Sequence, residues 1–258
     1  MKKCGLLGNN IQYSKSPFIH NKYYSMHNLP VKYEIFDIDK CELESFVNNI
    51  HVNNIIGFNV TIPYKETIIK YLNKLEYPAD KIKAVNTVVV IDKKLIGYNT
   101  DFHGFIKSIK EFNINLEGKN ALIIGGGGAA KAIFYALKDL MCMKIDLAVR
   151  DIDKVKENFQ GISEFILIND DNNYCKYDII VNCTPLGGAN YLQFTPINVK
   201  TIKKGCIVYD LVYNPEKTRF LQEAETNGAI IFNGESMLKH QAYISADLWI
   251  KEHFNLLK

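Results

Sequence analysis

Lys65 and Asp101 carry the types needed to move a proton at a carbon bearing a hydroxyl. Each closes a stretch that reads as a strand ending in polar residues. Gly57-Phe58-Asn59-Val60-Thr61-Ile62-Pro63-Tyr64-Lys65 passes from an apolar run into a proline, and its spacing sets Lys65 in the first turn of a helix. That turn is the positive end of the helix dipole and disfavours an ammonium. A lysine there is a poor choice for stability, which favours a functional role; a solvated lysine is the alternative. Gly97-Tyr98-Asn99-Thr100-Asp101 ends on three consecutive polar residues, and Ala84-Val85-Asn86-Thr87 sets Asn86 and Thr87 at a strand start. Each alone also reads as a turn or a cap. If Lys65 and Asp101 converge, the carboxylate holds and tunes the amine, and the amine passes a proton during redox.

Two further groups point to anions. In Ser14-Lys15-Ser16-Pro17, Pro17 suits the first helical position and Ser16 the N-cap. Two hydroxyls beside a helix N-terminus hold a carboxylate; plain capping is the competing explanation. Ile123-Ile124-Gly125-Gly126-Gly127-Gly128-Ala129-Ala130-Lys131 reads as a buried strand, a glycine turn and a helix start, the cradle for a dinucleotide pyrophosphate. The turn departs from the commonest fingerprint, because Ala130 or Lys131 stands where a third glycine is usual. The next strand, Lys144 to Val149, is followed by Arg150, where an NAD enzyme usually carries an acid for the ribose 2′-hydroxyl. Arg150 and Arg219 are the only arginines of the chain, and a guanidinium at this spot suits a 2′-phosphate, hence NADP. Lys154, one turn on, would assist, while Asp151 and Asp153 bring negative charge to the same pocket.

The elements that must position these residues alternate along the chain. Strands are expected at Cys4–Leu7, Lys32–Asp37 and Ile55–Val60, with helices at Ser16–His27, Glu42–Asn49 and Glu66–Leu75. Val85–Ile91 and Leu95–Tyr98 read as a hairpin turning at Asp92-Lys93-Lys94. An amphipathic helix over Phe102–Asn113 leads to the glycine-turn strand, and a helix over Ala129–Leu140 follows the turn. Strands at Asp178–Asn182, Cys206–Asp210 and Ala229–Phe232 and a helix over Asn214–Thr226, closed by Gly228, complete the second half. The last segment, Ser236–Phe254, reads as a long amphipathic helix with Met237, Tyr243, Leu248 and Trp249 on apolar faces, packing back on the first domain. The fold class is α/β, with two domains, 1–101 completed by 236–258 and 102–235, and a deep cleft between them for cofactor and substrate.

Composition narrows the function classes. With 258 residues, 47% hydrophobic and 23% charged, the chain is long enough for two ordinary globular domains. A net charge of +3 without a basic run among aromatics gives no argument for nucleic acid. No apolar run is long enough for a membrane span or signal region. The six cysteines form no C-x-x-C pair and sit mostly in apolar runs, as reduced residues of a cytoplasmic protein do. No ligand cluster suggests a metal.

Taken in order, these motifs resemble the shikimate dehydrogenase family over nearly the whole chain. The resemblance rests on Ser14-x-Ser16-Pro17-x-x-His20-Asn21, Asn59-Val60-Thr61-x-Pro63-x-Lys65, Asn86-Thr87 and Asn99-Thr100-Asp101-x-x-Gly104. It continues through Gly125-x-Gly127-Gly128-Ala129, Asn182-x-Thr184-Pro185-Leu186-Gly187, Asp210-Leu211-Val212-Tyr213-Asn214-Pro215 and Gly234-x-x-Met237-Leu238-x-x-Gln241. It implies an N-terminal substrate-binding domain, a Rossmann-type NADP-binding domain, and reversible reduction of 3-dehydroshikimate to shikimate with NADPH. It implies Lys65 and Asp101 as the catalytic pair, Ser14 and Ser16 on the substrate carboxylate, and Thr61, Asn86, Asp101, Gln241 and Tyr213 around the ring. For the cofactor it implies Gly125, Gly126, Gly127, Gly128 and Ala129 at the pyrophosphate, Arg150 and Lys154 at the 2′-phosphate, and Thr184, Gly234 and Met237 alongside. Tyr13, Val149, Asp151 and Gly188 depart from the family's usual residues. Two alternatives stand beside this: a quinate/shikimate dehydrogenase using NAD, and a cofactor-binding protein without turnover. A monomer or homodimer in the cytoplasm is expected, with no nucleic acid or membrane partner.

Overall fold

The structure is a computed structural model and describes residues 1–169 and 172–254. In chain order it contains β1 (Lys2–Gly8), α1 (Ser16–Met26), β2 (Val31–Asp37), α2 (Leu43–Asn48), β3 (Ile55–Val60), β4 (Lys74–Leu75), α3 (Ala79–Ile82), β5 (Thr87–Ile91), β6 (Lys94–Tyr98) and α4 (Thr100–Glu111). There follow β7 (Asn120–Ile124), α5 (Gly128–Asp139), β8 (Lys144–Val149), β9 (Glu164–Leu167), β10 (Ile179–Asn182), β11 (Ile207–Asp210), α6 (Arg219–Thr226), β12 (Ile230–Asn233) and α7 (Glu235–Phe254). The chain divides into two compact units. One is Met1–Gly104 with the described chain from Lys239 on, and the other is Phe105–Leu238.

The first unit is built on a mixed sheet in the order β2-β1-β3-β5-β6-β4. β1 runs parallel to β2 and β3, and β5 is antiparallel to β3 and β6. Every residue of β3 is buried, the pattern of a central strand covered on both faces. Alternate residues feed opposite cores: Phe58, Val60, Val88 and Val90 join one cluster, and Ile56 and Val89 the other. Trp249 of α7 belongs to the second cluster and lies on the sheet over Gly57. A Cβ on Gly57 would fall 2.1 Å from Trp249 Nε1, so only glycine lets the indole descend to bond Val88 O at 2.9 Å. The last helix thus packs on the first unit. Its face differs from the expected apolar stripe, since Gln241 and Ser245 are buried there and Tyr243 is turned outward.

The second unit is a parallel sheet in the order β12-β11-β10-β7-β8-β9. From β7 the chain winds outward through β8 and β9, then returns to the other side of β7 and continues through β10, β11 and β12. The order therefore reverses between β7 and β10, and loops leaving the carboxyl ends of those strands diverge there. Such a switch point is where open parallel sheets bind ligands.

Two expected helices are shorter in the structure. Over Glu66–Leu75 only Thr67–Tyr71 forms a single 3-10 segment, after which Lys74 and Leu75 pair with Ile96 and Gly97 as β4. Thr67, Ile68 and Ile69 are β-branched and stiff, which lowers helix propensity, and Asn73 bonds Leu95 through both backbone and side chain. Over Asn214–Thr226 the helix starts at Arg219, with Thr218 as N-cap accepting from Leu221 N. Pro215 disfavours helical backbone at Asn214, and the threonine cap fixes the true start.

Candidate active site

In the first unit the proton-transfer residues converge. Lys65 Nζ donates to Asp101 Oδ2, and both side chains are largely buried. Lys65 stands in the turn after β3, not in a first helical turn as expected. The 3-10 segment starts only at Thr67, so the dipole argument does not hold for it. Its carbonyl is tied to Val85 N at 2.7 Å, which fixes the turn beside the start of β5. Asp101 is in the first turn of α4, where the helix dipole favours a carboxylate.

Beneath this pair lies a buried polar network that joins β3, β5, α4 and α7. The hydroxyls of Thr87, Thr100 and Ser245 form a triangle with sides of 2.8, 3.0 and 3.1 Å. Asn59 Nδ2 donates to Thr87 Oγ1 and Ser245 Oγ, and Asn59 Oδ1 accepts from Tyr33 OH at 2.7 Å. Asn86 Oδ1 accepts from Thr100 N at 2.6 Å, a donor that cannot reverse, so its amide orientation is fixed. Asn86 Nδ2 is thereby turned to Thr100 Oγ1 and, at 3.5 Å, Gln241 Oε1. With Oδ1 occupied, Asn86 offers a ligand N–H groups only. Asn86, Gln241 and Asp101 are thus held by one network, with Thr100 as neighbour of Asp101 and partner of the other two.

Ser14 and Ser16 meet at the start of α1. Ser14 Oγ donates to Ser16 Oγ at 3.1 Å and accepts from Ser16 N at 3.2 Å. The N-cap position belongs to Lys15 and no side chain caps the helix, which corrects the expectation that Ser16 caps it. Thr61 follows β3 directly, with its methyl against Gly8. His20, one turn into α1, stacks on Tyr33 at 4.1 Å, and burial pushes its imidazole down to about 3, so it is neutral.

The second unit holds the glycine turn and its neighbours. Gly125 has φ +103°, backbone that glycine alone adopts freely, and a Cβ there would lie 2.9 Å from Thr184 Cγ2. Gly127 is the N-cap of α5 and offers no side chain to the helix end, and space beyond its Cα is open within 4 Å. The N–H groups of Gly128 and Ala129 therefore face an unfilled helix N-terminus, which suits a phosphate. Arg150 follows β8 exposed, with no ion pair or hydrogen bond among the described residues. Asp151 is paired with Lys154 at 3.0 Å and Asp153 with Lys156 at 2.7 Å, so both acids near Arg150 are offset by lysines. Lys154, the second residue expected at the 2′-phosphate, is paired with Asp151. Thr184 sits in the turn after β10, where Asn182 Oδ1 accepts from its N–H and hydroxyl. Gly234 lies where a Cβ would come 2.1 Å from Leu211 O, and Met237 is buried in the first turn of α7. Tyr213 belongs to this unit as well, in the segment after β11. The glycine turn, the open helix end and an unpaired guanidinium match the parts a 2′-phosphorylated dinucleotide needs.

Comparison with known proteins decides the family. The shikimate dehydrogenase (NADP(+)) of Clostridium botulinum strain Loch Maree is 52% identical over 249 residues, covering 96% of each chain. The chain belongs to the shikimate dehydrogenase family. The pattern of the shikimate dehydrogenase substrate binding domain matches residues 6–88. Shikimate dehydrogenase 1 of Peptoclostridium difficile superposes with a TM-score of 0.88 at 34% identity, covering 97% of this chain and 92% of that one. The shikimate 5-dehydrogenase of Thermus thermophilus, solved in complex with NADP(H) and shikimate, gives 0.88 at 28% identity over 97% and 94%. Among the described residues no helix is long and apolar enough to cross a membrane, and no group of three His, Cys, Asp or Glu is placed to hold a metal.

Asn59, Thr87 and Thr100 stand in motifs quoted from the sequence but were given no role there, and Tyr33 and Ser245 were not singled out. The first four carry a readable signal, polar atoms inside or beside apolar strands. Ser245 carries only its spacing of one helical turn from Gln241.

Proposed function

We propose that this chain catalyses the reversible NADPH-dependent reduction of 3-dehydroshikimate to shikimate, a step toward chorismate and the aromatic amino acids. The observation that carries the assignment of residues is the buried Lys65–Asp101 ion pair, standing at the edge of a network that presents oriented amides. When bound, NADPH supplies the hydride for the carbonyl carbon at C3. Lys65 donates a proton to the carbonyl oxygen as charge develops on it, and accepts that proton in the reverse direction. Asp101 holds the ammonium in place and accepts from the reacting hydroxyl.

The remaining residues bind and orient. Ser14 and Ser16 take the substrate carboxylate, both hydroxyls lying together at a helix start with no capping duty. Asn86 donates to a ring hydroxyl, since its acceptor is already in use. Gln241, Thr61 and Tyr213 complete the ring contacts. Met1–Gly104 with the end of the chain is the substrate unit, and Phe105–Leu238 the cofactor unit. Gly125 to Ala129 hold the pyrophosphate, Arg150 and Lys154 the 2′-phosphate, and Thr184, Gly234 and Met237 flank the nicotinamide half. The protein works in the cytoplasm as a monomer or homodimer, in keeping with six free thiols.

The test is oxidation of shikimate and of quinate, each with NADP and with NAD, followed by nicotinamide absorbance. Turnover confined to shikimate with NADP is expected. Comparable rates with quinate or NAD would move the protein to the dual-specificity branch, and no turnover with any pair would overturn the assignment.

A further inference from the structure

Asp210, at the carboxyl end of β11, is 0% exposed, and among the described residues it has no cationic partner. Its donors are all neutral: Asn182 Nδ2 at 2.9 Å and Val212 N at 3.0 Å to Oδ1, and Thr218 Oγ1 at 2.6 Å to Oδ2. A buried carboxylate without a cation costs stability, so hydrophobic packing does not explain it. Its donors are the last residue of β10 and two residues of the segment that leaves β11, at the carboxyl edge of the sheet. Asn182 passes the constraint on. A carboxylate only accepts, so Asn182 must turn Nδ2 toward Asp210 and Oδ1 toward Thr184. Oδ1 then accepts from Thr184 N at 3.0 Å and Thr184 Oγ1 at 2.7 Å. This fixes the threonine rotamer with its methyl against Gly125, the first glycine of the phosphate turn.

We propose that Asp210 is a positioning residue for the dinucleotide: through Asn182 its carboxylate sets the rotamer of Thr184 against Gly125, and thereby the affinity for NADP. This rests on the reading of Thr184 and the glycine turn as part of the cofactor site. Asp210→Asn keeps the shape but exchanges the charge-assisted bond to Asn182 Nδ2 for a neutral one, which loosens the hold of Asn182 on Thr184. Thr218 can accept from the new amide, so the fold survives.

The experiment measures KM for NADP, KM for shikimate, kcat and direct NADPH binding by fluorescence in Asp210→Asn, Asn182→Ala, Thr184→Val and the double variant D210N/T184V. Circular dichroism and melting establish that each variant folds, and Asn182→Ala stands in should Asp210→Asn not. The expected result is a roughly ten-fold rise in both cofactor constants in each single variant, the size of one lost charge-assisted hydrogen bond. In Asp210→Asn and Asn182→Ala, KM for shikimate and kcat at saturating cofactor stay within about two-fold, and the double variant binds cofactor no worse than either of its single variants. If Thr184→Val weakens the cofactor but Asp210→Asn and Asn182→Ala do not, the proposal fails and the cofactor site stands. If Thr184→Val changes nothing, that reading of the site fails and the proposal with it. Equal losses in both substrates' constants and in kcat would reveal general loosening and overturn it as well.

Discussion

Lys154 Nζ lies 3.0 Å from Asp151 Oδ2, in the exposed segment that opens with Arg150. The hydrogen bond from Lys154 holds the Asp151 carboxyl below its ordinary range. An exposed pair of this kind adds little to stability. Its consequence is local charge: the acid that would repel a 2′-phosphate is offset, and Arg150 is left unpaired among the described residues. Arg150→Ala should therefore raise KM for NADP by about ten- to a hundred-fold, matching a charge-assisted phosphate contact of about 1.5–3 kcal/mol. KM for NAD should change by less than about two-fold. Initial rates with both cofactors at saturating shikimate check this, and an equal loss for the two would remove Arg150 from the 2′-phosphate.

Lys65→Ala should lower kcat by about a hundred- to ten-thousand-fold, the usual range for a lost general acid or base. Lys65 is assigned to proton transfer and not to holding the cofactor, so direct NADPH binding should be nearly unchanged. Asp101→Asn should lower kcat as well, because Lys65 loses its ion pair. Single-turnover rates beside fluorescence titrations separate the two effects. Near-normal turnover in Lys65→Ala would show that another group moves the proton.

Much of this site was legible because chemistry demands polar residues where packing demands apolar ones. Asn59, Asn86 and Thr100 interrupt apolar strands or sit at their ends, and the glycine turn follows an unbroken apolar run. Most strand positions followed from the same runs, and Lys144–Val149 forms β8 with the expected bounds, whereas β9 was not expected. The misread segments were those in which local and tertiary preferences compete. Lys74 and Leu75 look helical by neighbourhood but pair with β6, and no local pattern announces a two-residue strand. Asn214–Lys217 carries no helical veto except Pro215, and its course is set by Asp210 holding Val212 and Thr218. Ser245 was illegible because a serine on a helix is ordinary until the sheet below it is known.

Gly57→Ala should destabilise the first unit by about 1–3 kcal/mol, the usual cost of overpacking. The added methyl would meet Trp249 Nε1 at 2.1 Å and Val88 O at 2.7 Å, and the backbone oxygen cannot retreat without opening the sheet. The indole must lift, taking α7 and its Gln241 and Ser245 with it, so KM for shikimate should also rise. Trp249 is the sole tryptophan, which makes its emission a direct probe in a urea titration. A variant with unchanged midpoint and unchanged emission would contradict the tight contact.

Asp210 makes stability depend on pH in a direction opposite to that of a paired carboxylate. Burial pushes its carboxyl from 3.8 up to about 6, against the lowering effect of hydrogen bonds from Thr218, Val212 and Asn182. The native state thus holds this proton more tightly than the unfolded chain does. Between those two values the folded protein binds more protons, so the residue's contribution falls as pH rises through that window and is level above it. The full change is about 3 kcal/mol. Asp210→Asn lacks the titration. Relative to that variant, wild type should be most stable near pH 4 and should lose ground by up to about 3 kcal/mol as pH approaches 7. Urea unfolding of both proteins from about pH 4.5 to about pH 7.5 measures the difference. Two parallel stability curves would mean that the carboxyl titrates at its ordinary value and that its burial carries no such cost.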